Sequence, residues 1–326
     1  MTTDRRAQLA ANLDEVRGRI ARACSAAGRA PSAVTLVAVT KTYPASDVEL
    51  LASLGVTDVG ENKDQEAAAK AAAVPAALRW HFVSQLQRNK AKSVVRYADV
   101  VQSVDSLRLV AALSKAAVEH RKSPLEVLIQ ISLDGDPSRG GAIASGEVGV
   151  AVGSGGVVAA GGAAVSDAAA DSPAPSAARE SGSAGPSAQG ADAADRSLSV
   201  STSSLSVPLS PSASMSIRSA LNHASSDISG LPGTADSERD LWRVAEAVAA
   251  ADGLRLGGVM AVAPIGWDPD RAFELLARLA ERLRAQHPGA TTVSAGMSGD
   301  LEAAIRHGAT HVRIGTSLLG MRNTLR

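Results

Sequence analysis

Apolar residues along this chain follow two rhythms that take turns. Short unbroken runs, such as Leu36-Val-Ala-Val-Thr40 and Leu125-Glu-Val-Leu-Ile-Gln-Ile131, alternate with longer stretches where apolar positions recur every three or four residues. A run without alternation suits a parallel strand covered on both faces, whereas the wider spacing puts apolar side chains on one stripe of a helix. The chain opens on the second rhythm: Leu9, Leu13, Val16 and Ile20 among Arg, Asp and Glu predict an amphipathic helix over about residues 3 to 28, packed on the outside of the fold.

The first strand follows at Leu36 to Thr40, with Lys41 as its last residue, and then a helix that begins near Pro44 and closes at Gly55. The alternation continues with strands at Val56 to Asn62, Leu78 to Val83, Asp99 to Val104 and Leu125 to Ile131, and with helices to about Ala73, from about Gln87 and around Leu107 to Leu113. Later come a helix at Leu241 to Ala250, a strand at Leu256 to Val262, a helix at Asp270 to Gln286, a strand at Thr291 to Ser294, a helix at Ser298 to His307 and a strand at His311 to Ile314. Eight strands each followed by a helix, or at the end by a short tail, predict an α/β fold, a single (β/α)₈ barrel, with an open doubly wound sheet as the alternative. In such a barrel the chemistry sits at the C-terminal ends of the strands. Those ends carry Lys41, Asn62, Ser84, Asp105, Met260, Ser298 and Thr316, and the opposite face offers nothing comparable.

The pattern breaks once, from Ala144 to Ala235. This stretch is rich in Ala, Ser, Gly and Pro, with blocks such as Gly153-Ser-Gly-Gly156 and Leu205-Ser-Val-Pro-Leu-Ser-Pro211. A composition so poor in large apolar residues does not bury enough surface to offset the entropy of ordering, so the expectation is a disordered insertion after the fifth strand. The uncharged run from Val148 to Ser166 holds too many glycines, and no leucine, for a membrane-spanning helix and reads as linker. Residues 1–143 and 236–326 are then two parts of one barrel, of a length close to the roughly 250 residues usual for that domain.

Composition narrows the function classes. Lys plus Arg number 33 and Asp plus Glu number 33, a balance that argues against nucleic acid or an anionic membrane as the main partner. The single cysteine, Cys24, excludes an intramolecular disulfide and a multi-cysteine metal site, and the charged start of the chain lacks the pattern of a signal peptide; a cytoplasmic protein is expected.

Candidate chemistry starts at Lys41. An ammonium at the end of a buried strand loses hydration, which lowers its pKa and favours a neutral amine able to attack an aldehyde. Two readings stand here: a Schiff-base lysine, or a strand-end lysine that snorkels to water. Ser294-Ala-Gly-Met-Ser-Gly-Asp300 places Ser298 as a helix N-cap with Asp300 in the first turn, which makes either an anion site or simply a capped helix. In Val312-Arg-Ile-Gly-Thr-Ser317, Gly315 allows close backbone approach and Thr316 adds a hydroxyl, in the region where such barrels recurrently bind phosphate; Arg313 reads equally as an ordinary arginine. His81 and Phe82 point to opposite faces of their strand, but the pattern does not say which enters the barrel. No histidine or carboxylate set has metal-ligand spacing, so no metal is expected.

Taken in order, Ala38-Val-Thr-Lys-Thr42, Gly60-Glu-Asn62, Trp80-His-Phe82 with Leu86-Gln87 and Asn89-Lys90, Met297-Ser298 with Asp300, and Val312-Arg-Ile-Gly-Thr316 closely resemble the pyridoxal phosphate homeostasis protein family. The resemblance covers nearly all the chain outside the insertion. It implies a barrel of the alanine-racemase N-terminal type, pyridoxal 5'-phosphate (PLP) joined to Lys41 as a Schiff base, and phosphate held by Ser298, Gly315 and Thr316. It further implies Asn62 at the cofactor and Arg313 facing the pyridine nitrogen. The implied role is to bind, buffer and deliver PLP as a monomer, with apo PLP-dependent enzymes as recipients. No residue is assigned a catalytic role. The alternative is a PLP-dependent racemase or related enzyme, but such racemases add a second domain supplying an opposing base, and no sequence remains here for one.

Overall fold

The structure is a computed structural model that describes residues 2–74, 77–136, 140–144 and 237–320. Helix α1 (Thr2–Ala26) precedes β1 (Thr35–Val39), and the chain continues through α2 (Ala45–Ser53), β2 (Asp58–Glu61), α3 (Asp64–Ala73) and β3 (Arg79–Phe82). A 3₁₀ turn at Arg88–Lys90 leads into the short α4 (Ala91–Val94), then β4 (Val100–Val104), α5 (Leu107–His120) and β5 (Leu125–Gln130). After the break come α6 (Leu241–Ala250), β6 (Leu254–Met260), α7 (Pro269–Gln286), β7 (Thr292–Ser294), α8 (Leu301–Arg306), β8 (His311–Ile314) and α9 (Thr316–Leu319). All eight strands pair in parallel with their sequence neighbours, and β8 returns to β1, with Thr35 opposite His311 and Ala38 opposite Ile314. The expected (β/α)₈ barrel is present.

Most of the apolar core lies between the barrel wall and the helices. Val127 and Ile129 of β5 pack with Leu113 of α5, Val248 of α6 and Leu276 of α7. On the other side α1 buries Leu9, Leu13, Val16 and Ile20 against Leu51, Leu301, Ile305 and Leu318. Each such side chain contributes about 1.5–3 kcal/mol on leaving water. Helix α1 also ties down the loops after β7 and β8: Asn12 Nδ2 donates to the Leu318 carbonyl at 2.9 Å, and Arg19 to the Ser298 carbonyl at 3.0 Å and to Glu302. Inside the barrel, among the described residues, only Val100, Leu128 and Met260 form an apolar cluster, which leaves much of the interior to polar side chains. Strand β6 approaches β7 so closely that a Cβ at Gly258 (φ 148°) would lie 1.9 Å from the Thr292 carbonyl oxygen, so glycine is required there.

Three expectations need correction. Strand β1 ends at Val39, and Lys41 lies in the turn beyond it. The chain leaves the sheet after Thr40, whose N–H still bonds the Gly60 carbonyl at 3.0 Å. Helix α8 begins at Leu301, not Ser298. The insertion boundary also moves, because Ala144 is buried in the core. Its neighbour Ile143 is bridged to the returning chain: Ile143 N–H donates to the Arg239 carbonyl at 2.8 Å and Leu241 N–H to the Ile143 carbonyl at 2.9 Å. The two ends of the break are therefore stitched together. The insertion itself, with the run from Val148 to Ser166, lies outside the described residues. Among the described residues no helix is long and apolar enough to cross a membrane.

Candidate functional site at the C-terminal mouth of the barrel

Adjacent strands β2, β1 and β8 bring Asn62, Lys41 and Gly315 to one end of the barrel, because Asn62 and Gly315 follow directly on the ends of their strands and Lys41 lies two residues beyond the end of β1. A side-chain carbon built on Gly315 would sit 3.4 Å from the Val39 carbonyl oxygen, so the β1 and β8 loops leave the barrel side by side. Lys41 is exposed, and among the described residues no carboxylate or other acceptor holds its ammonium. The desolvation expected from a place inside the strand is thus absent, and what the turn supplies is an accessible amine. Asn62 keeps its Oδ1 buried with no hydrogen-bond partner. A buried acceptor left unsatisfied costs roughly 1–3 kcal/mol and marks a place where a donor is missing.

The loops after β7 and β8 meet at Ser298, though not as expected. Asp300 occupies the N-cap position of α8, and its carboxylate accepts the Met297 N–H at 2.6 Å. Ser298 Oγ instead accepts the Ser317 N–H at 3.4 Å, which joins the two loops beside Thr316. The turn depends on Gly296 (φ 90°), where a Cβ would collide with Ala304 at 2.6 Å. Thr316 is exposed at the start of α9, whose first N–H groups have no acceptor within the helix.

Arg313 is fully buried inside the barrel mouth without a carboxylate partner. Its Nη1 donates to the Ser294 carbonyl at 2.8 Å and to Ser294 Oγ at 2.9 Å, and its Nη2 to the Ala261 carbonyl at 2.9 Å. Burial pulls its pKa down to about 10, with Asp300 acting in the opposite direction, so the guanidinium stays charged at neutral pH. From Arg313 a directed chain of hydrogen bonds crosses the interior. Ser294 Oγ donates to Gln102 Oε1 at 2.8 Å, Gln102 Nε2 to His81 Nδ1 at 2.8 Å, and His81 Nε2 to Asp58 at 2.9 Å. Strands β4 and β7 are not neighbours, so the Gln102–Ser294 bond fixes both side chains inside the barrel, and His81 with them. Phe82 faces the helices. The question the sequence left open is settled in favour of an inward His81.

That chain ends at the other mouth, which is not the featureless face expected. There Glu126 pairs with Arg79 at 2.5 Å and with Arg255, while Thr57 Oγ1 donates to Asp58 at 2.6 Å. Burial by itself raises the Asp58 pKa, but hydrogen bonds from His81 and Thr57 outweigh it and hold the carboxyl below its usual range. Sequence reasoning missed Asp58, Gln102, Ser294 and Glu126, since a single polar residue in a short strand carries no periodic signal. Among the other expected residues, Asp105 lies away from Lys41, in a cleft of about 840 Å³ lined also by Gln85, Arg88, Arg108 and Arg239. Among the described residues no cluster could hold a metal ion.

The alanine racemase N-terminal domain family matches residues 10–153 and 235–323. The pyridoxal phosphate homeostasis protein of Mycobacterium tuberculosis is 34% identical, with 98% of this chain and 95% of that protein covered. The chain belongs to the pyridoxal phosphate homeostasis protein family. The Escherichia coli protein of the same name is 27% identical, with 97% of each chain covered. Among solved structures, PipY of Synechococcus elongatus with PLP bound matches with a TM-score of 0.57 and 22% identity, covering 96% of this chain and 100% of that one; at that identity the likeness shows the fold. Near-complete coverage on both sides places the whole barrel, including both sides of the insertion, within the homeostasis family.

Proposed function

We propose that this protein binds PLP at the C-terminal mouth of its barrel through Lys41 and serves to hold, buffer and deliver the cofactor inside the cell, without turning over a substrate. The observation that carries the reading is the conjunction of an accessible, unpartnered lysine amine on the β1 loop with the joined β7 and β8 loops next to it. Ser298, Gly315 and Thr316 hold the phosphate, Asn62 supplies the acceptor that now lacks a donor, and Arg313 faces the pyridine nitrogen. The orphaned Asn62 Oδ1 and the buried Arg313 without a counter-ion fit a ligand that offers both a donor and an acceptor. Bound there, PLP supplies an aldehyde that condenses reversibly with an amine and releases water.

Arg313 bears on the absence of turnover. A charged guanidinium at the ring nitrogen opposes protonation of that nitrogen, and so weakens the electron sink on which racemisation and decarboxylation depend. The reading fits a carrier that acts as a monomer and passes PLP to apo enzymes.

Purified protein should take up PLP with a new visible absorbance band, lose the band on borohydride reduction, and yield a modified peptide containing Lys41. Added to an apo PLP-dependent enzyme, the loaded protein should restore that enzyme's activity, while single enantiomers of alanine or serine incubated with it in deuterium oxide should neither racemise nor exchange at Cα. Label on another lysine overturns the site, and racemisation at about 1 per second or faster overturns the carrier role.

A further inference from the structure

Lys41 sits in an unusual stretch of backbone. Next to it Thr42 has φ 70°, and among the described residues it is the only non-glycine with positive φ. For a β-branched residue that conformation costs on the order of 1–3 kcal/mol and persists only where the surroundings impose it. On the other side of Lys41, Thr40 is held by both its side chain and its main chain. Thr40 is fully buried; its hydroxyl donates to Glu61 Oε1 at 2.6 Å, and its carbonyl accepts from Lys70 Nζ at 2.8 Å. Lys70 Nζ also donates to Glu61 Oε1 at 2.7 Å, which closes a three-membered ring of contacts among the residue after β1, β2 and α3. Glu61 and Lys70 are themselves buried, with side chains 1% and 9% exposed.

A buried ion pair of this kind is a poor source of stability. Desolvation of both groups offsets their attraction, and well-packed apolar residues often do as well or better. This pair is not even fully satisfied, since Glu61 Oε2 has no hydrogen-bond partner among the described residues. Its geometry serves another purpose: both charges converge on the one residue that precedes Lys41, gripping it by side chain and main chain at once. We propose that Glu61 and Lys70 are positioning residues that hold the Thr40–Lys41 peptide, and hence the root of the Lys41 side chain, where its amine meets the cofactor. The inference rests on the reading of Lys41 above and adds to it the device that sets the amine in place.

The test separates attachment from binding in full-length Lys70→Met and Glu61→Gln. Each variant is scored for its rate of covalent PLP uptake, trapped by borohydride on the Lys41 peptide, and for its affinity for pyridoxine 5'-phosphate, which shares the ring and phosphate but has no aldehyde. Displacing a reacting group by about 1 Å costs up to roughly a hundredfold, so uptake should slow by about ten- to a hundredfold while pyridoxine 5'-phosphate affinity is unchanged. Lys70→Arg, which can keep a donor near both acceptors, should recover part of the rate. Uptake at the wild-type rate in the folded variants overturns the proposal, and so does loss of uptake and of affinity in equal proportion. Should both variants fail to fold, Thr40→Val removes the hydroxyl contact at nearly constant volume, and wild-type uptake there is equally fatal. Wild-type protein that traps nothing on Lys41 overturns the reading of Lys41 itself, a failure visible before any variant is made.

Discussion

The two mouths of the barrel treat charge in opposite ways. At the N-terminal mouth the charged groups find partners within the fold: Glu126 lies between Arg79 and Arg255, and Asp58 takes hydrogen bonds from His81 and Thr57. At the C-terminal mouth Lys41 has no acceptor among the described residues, Arg313 is buried among neutral acceptors, and Asn62 Oδ1 is buried without a donor. Both ends are polar, so polarity alone does not distinguish structure from function. What separates them is completeness: one end is satisfied by the protein, and the other leaves donors and acceptors for something else. The hydrogen-bonded chain from Arg313 to Asp58 runs between them and holds the guanidinium without a carboxylate that would compete for it.

The comparison is broken most directly at Lys41. Lys41→Ala should abolish borohydride-trapped PLP while changing the stability of the unloaded protein by less than about 0.5 kcal/mol, because an exposed, unpartnered side chain contributes little to folding. Trapping that survives the substitution, seen by peptide mass spectrometry, would move the amine elsewhere.

At the opposite mouth the expected signature is a pH dependence of folding. Burial, together with the neighbouring His81, pulls the His311 pKa from 6.5 down to about 4; Asp58 and Glu126 act the other way and Arg79 with the burial. The unfolded chain therefore takes up a proton near pH 6.5 that the folded protein refuses until about pH 4. Stability from this residue is complete above pH 6.5 and is lost as the pH falls toward 4, by at most about 3 kcal/mol. Denaturant titrations at pH 7.5 and 4.5 should show the loss in wild type and a smaller one in His311→Gln; equal slopes would remove His311 from the account.

Glu126→Ala should cost about 1–2 kcal/mol, because the two arginines it frees are half-exposed and turn to water. It should leave PLP uptake at the wild-type rate, and a matching loss of uptake would show that the two mouths are coupled through the interior chain. The smallest change is expected at the break after β5. Replacing residues 145–236 with about twenty Gly and Ser residues shortens the loop by about two doublings, a gain near 1 kcal/mol. The Ile143 bridge already joins its ends. A lower melting temperature would mean that the replaced stretch contributes to the barrel.

Much of this was legible in the chain. Unbroken apolar runs such as Leu125 to Ile131 announce strands covered on both faces, and the stripe of Leu9, Leu13, Val16 and Ile20 announces a helix that the structure buries on that face. Periodicity reports local geometry, and a repeated strand–helix unit with right-handed crossovers has few ways to close. Helix ends were less legible: Ser298 looked like a cap because serine is a good one, but Asp300 took the position once Gly296 had turned the loop.

The sequence by itself determined the eight-unit barrel, the mouth at which the candidate residues gather and the residue types on offer there. Only the tertiary structure decided which of them are already satisfied. Glu61 and Lys70 lie nine residues apart on different elements, and Gln102 and Ser294 come from non-adjacent strands; nothing in the sequence pairs them. A side chain's partner depends on strand register and on closure of the barrel, and both are set by the packing of the whole core. That is why Lys41, a buried strand-end lysine by pattern, became in the folded protein an exposed amine on a turn held from behind.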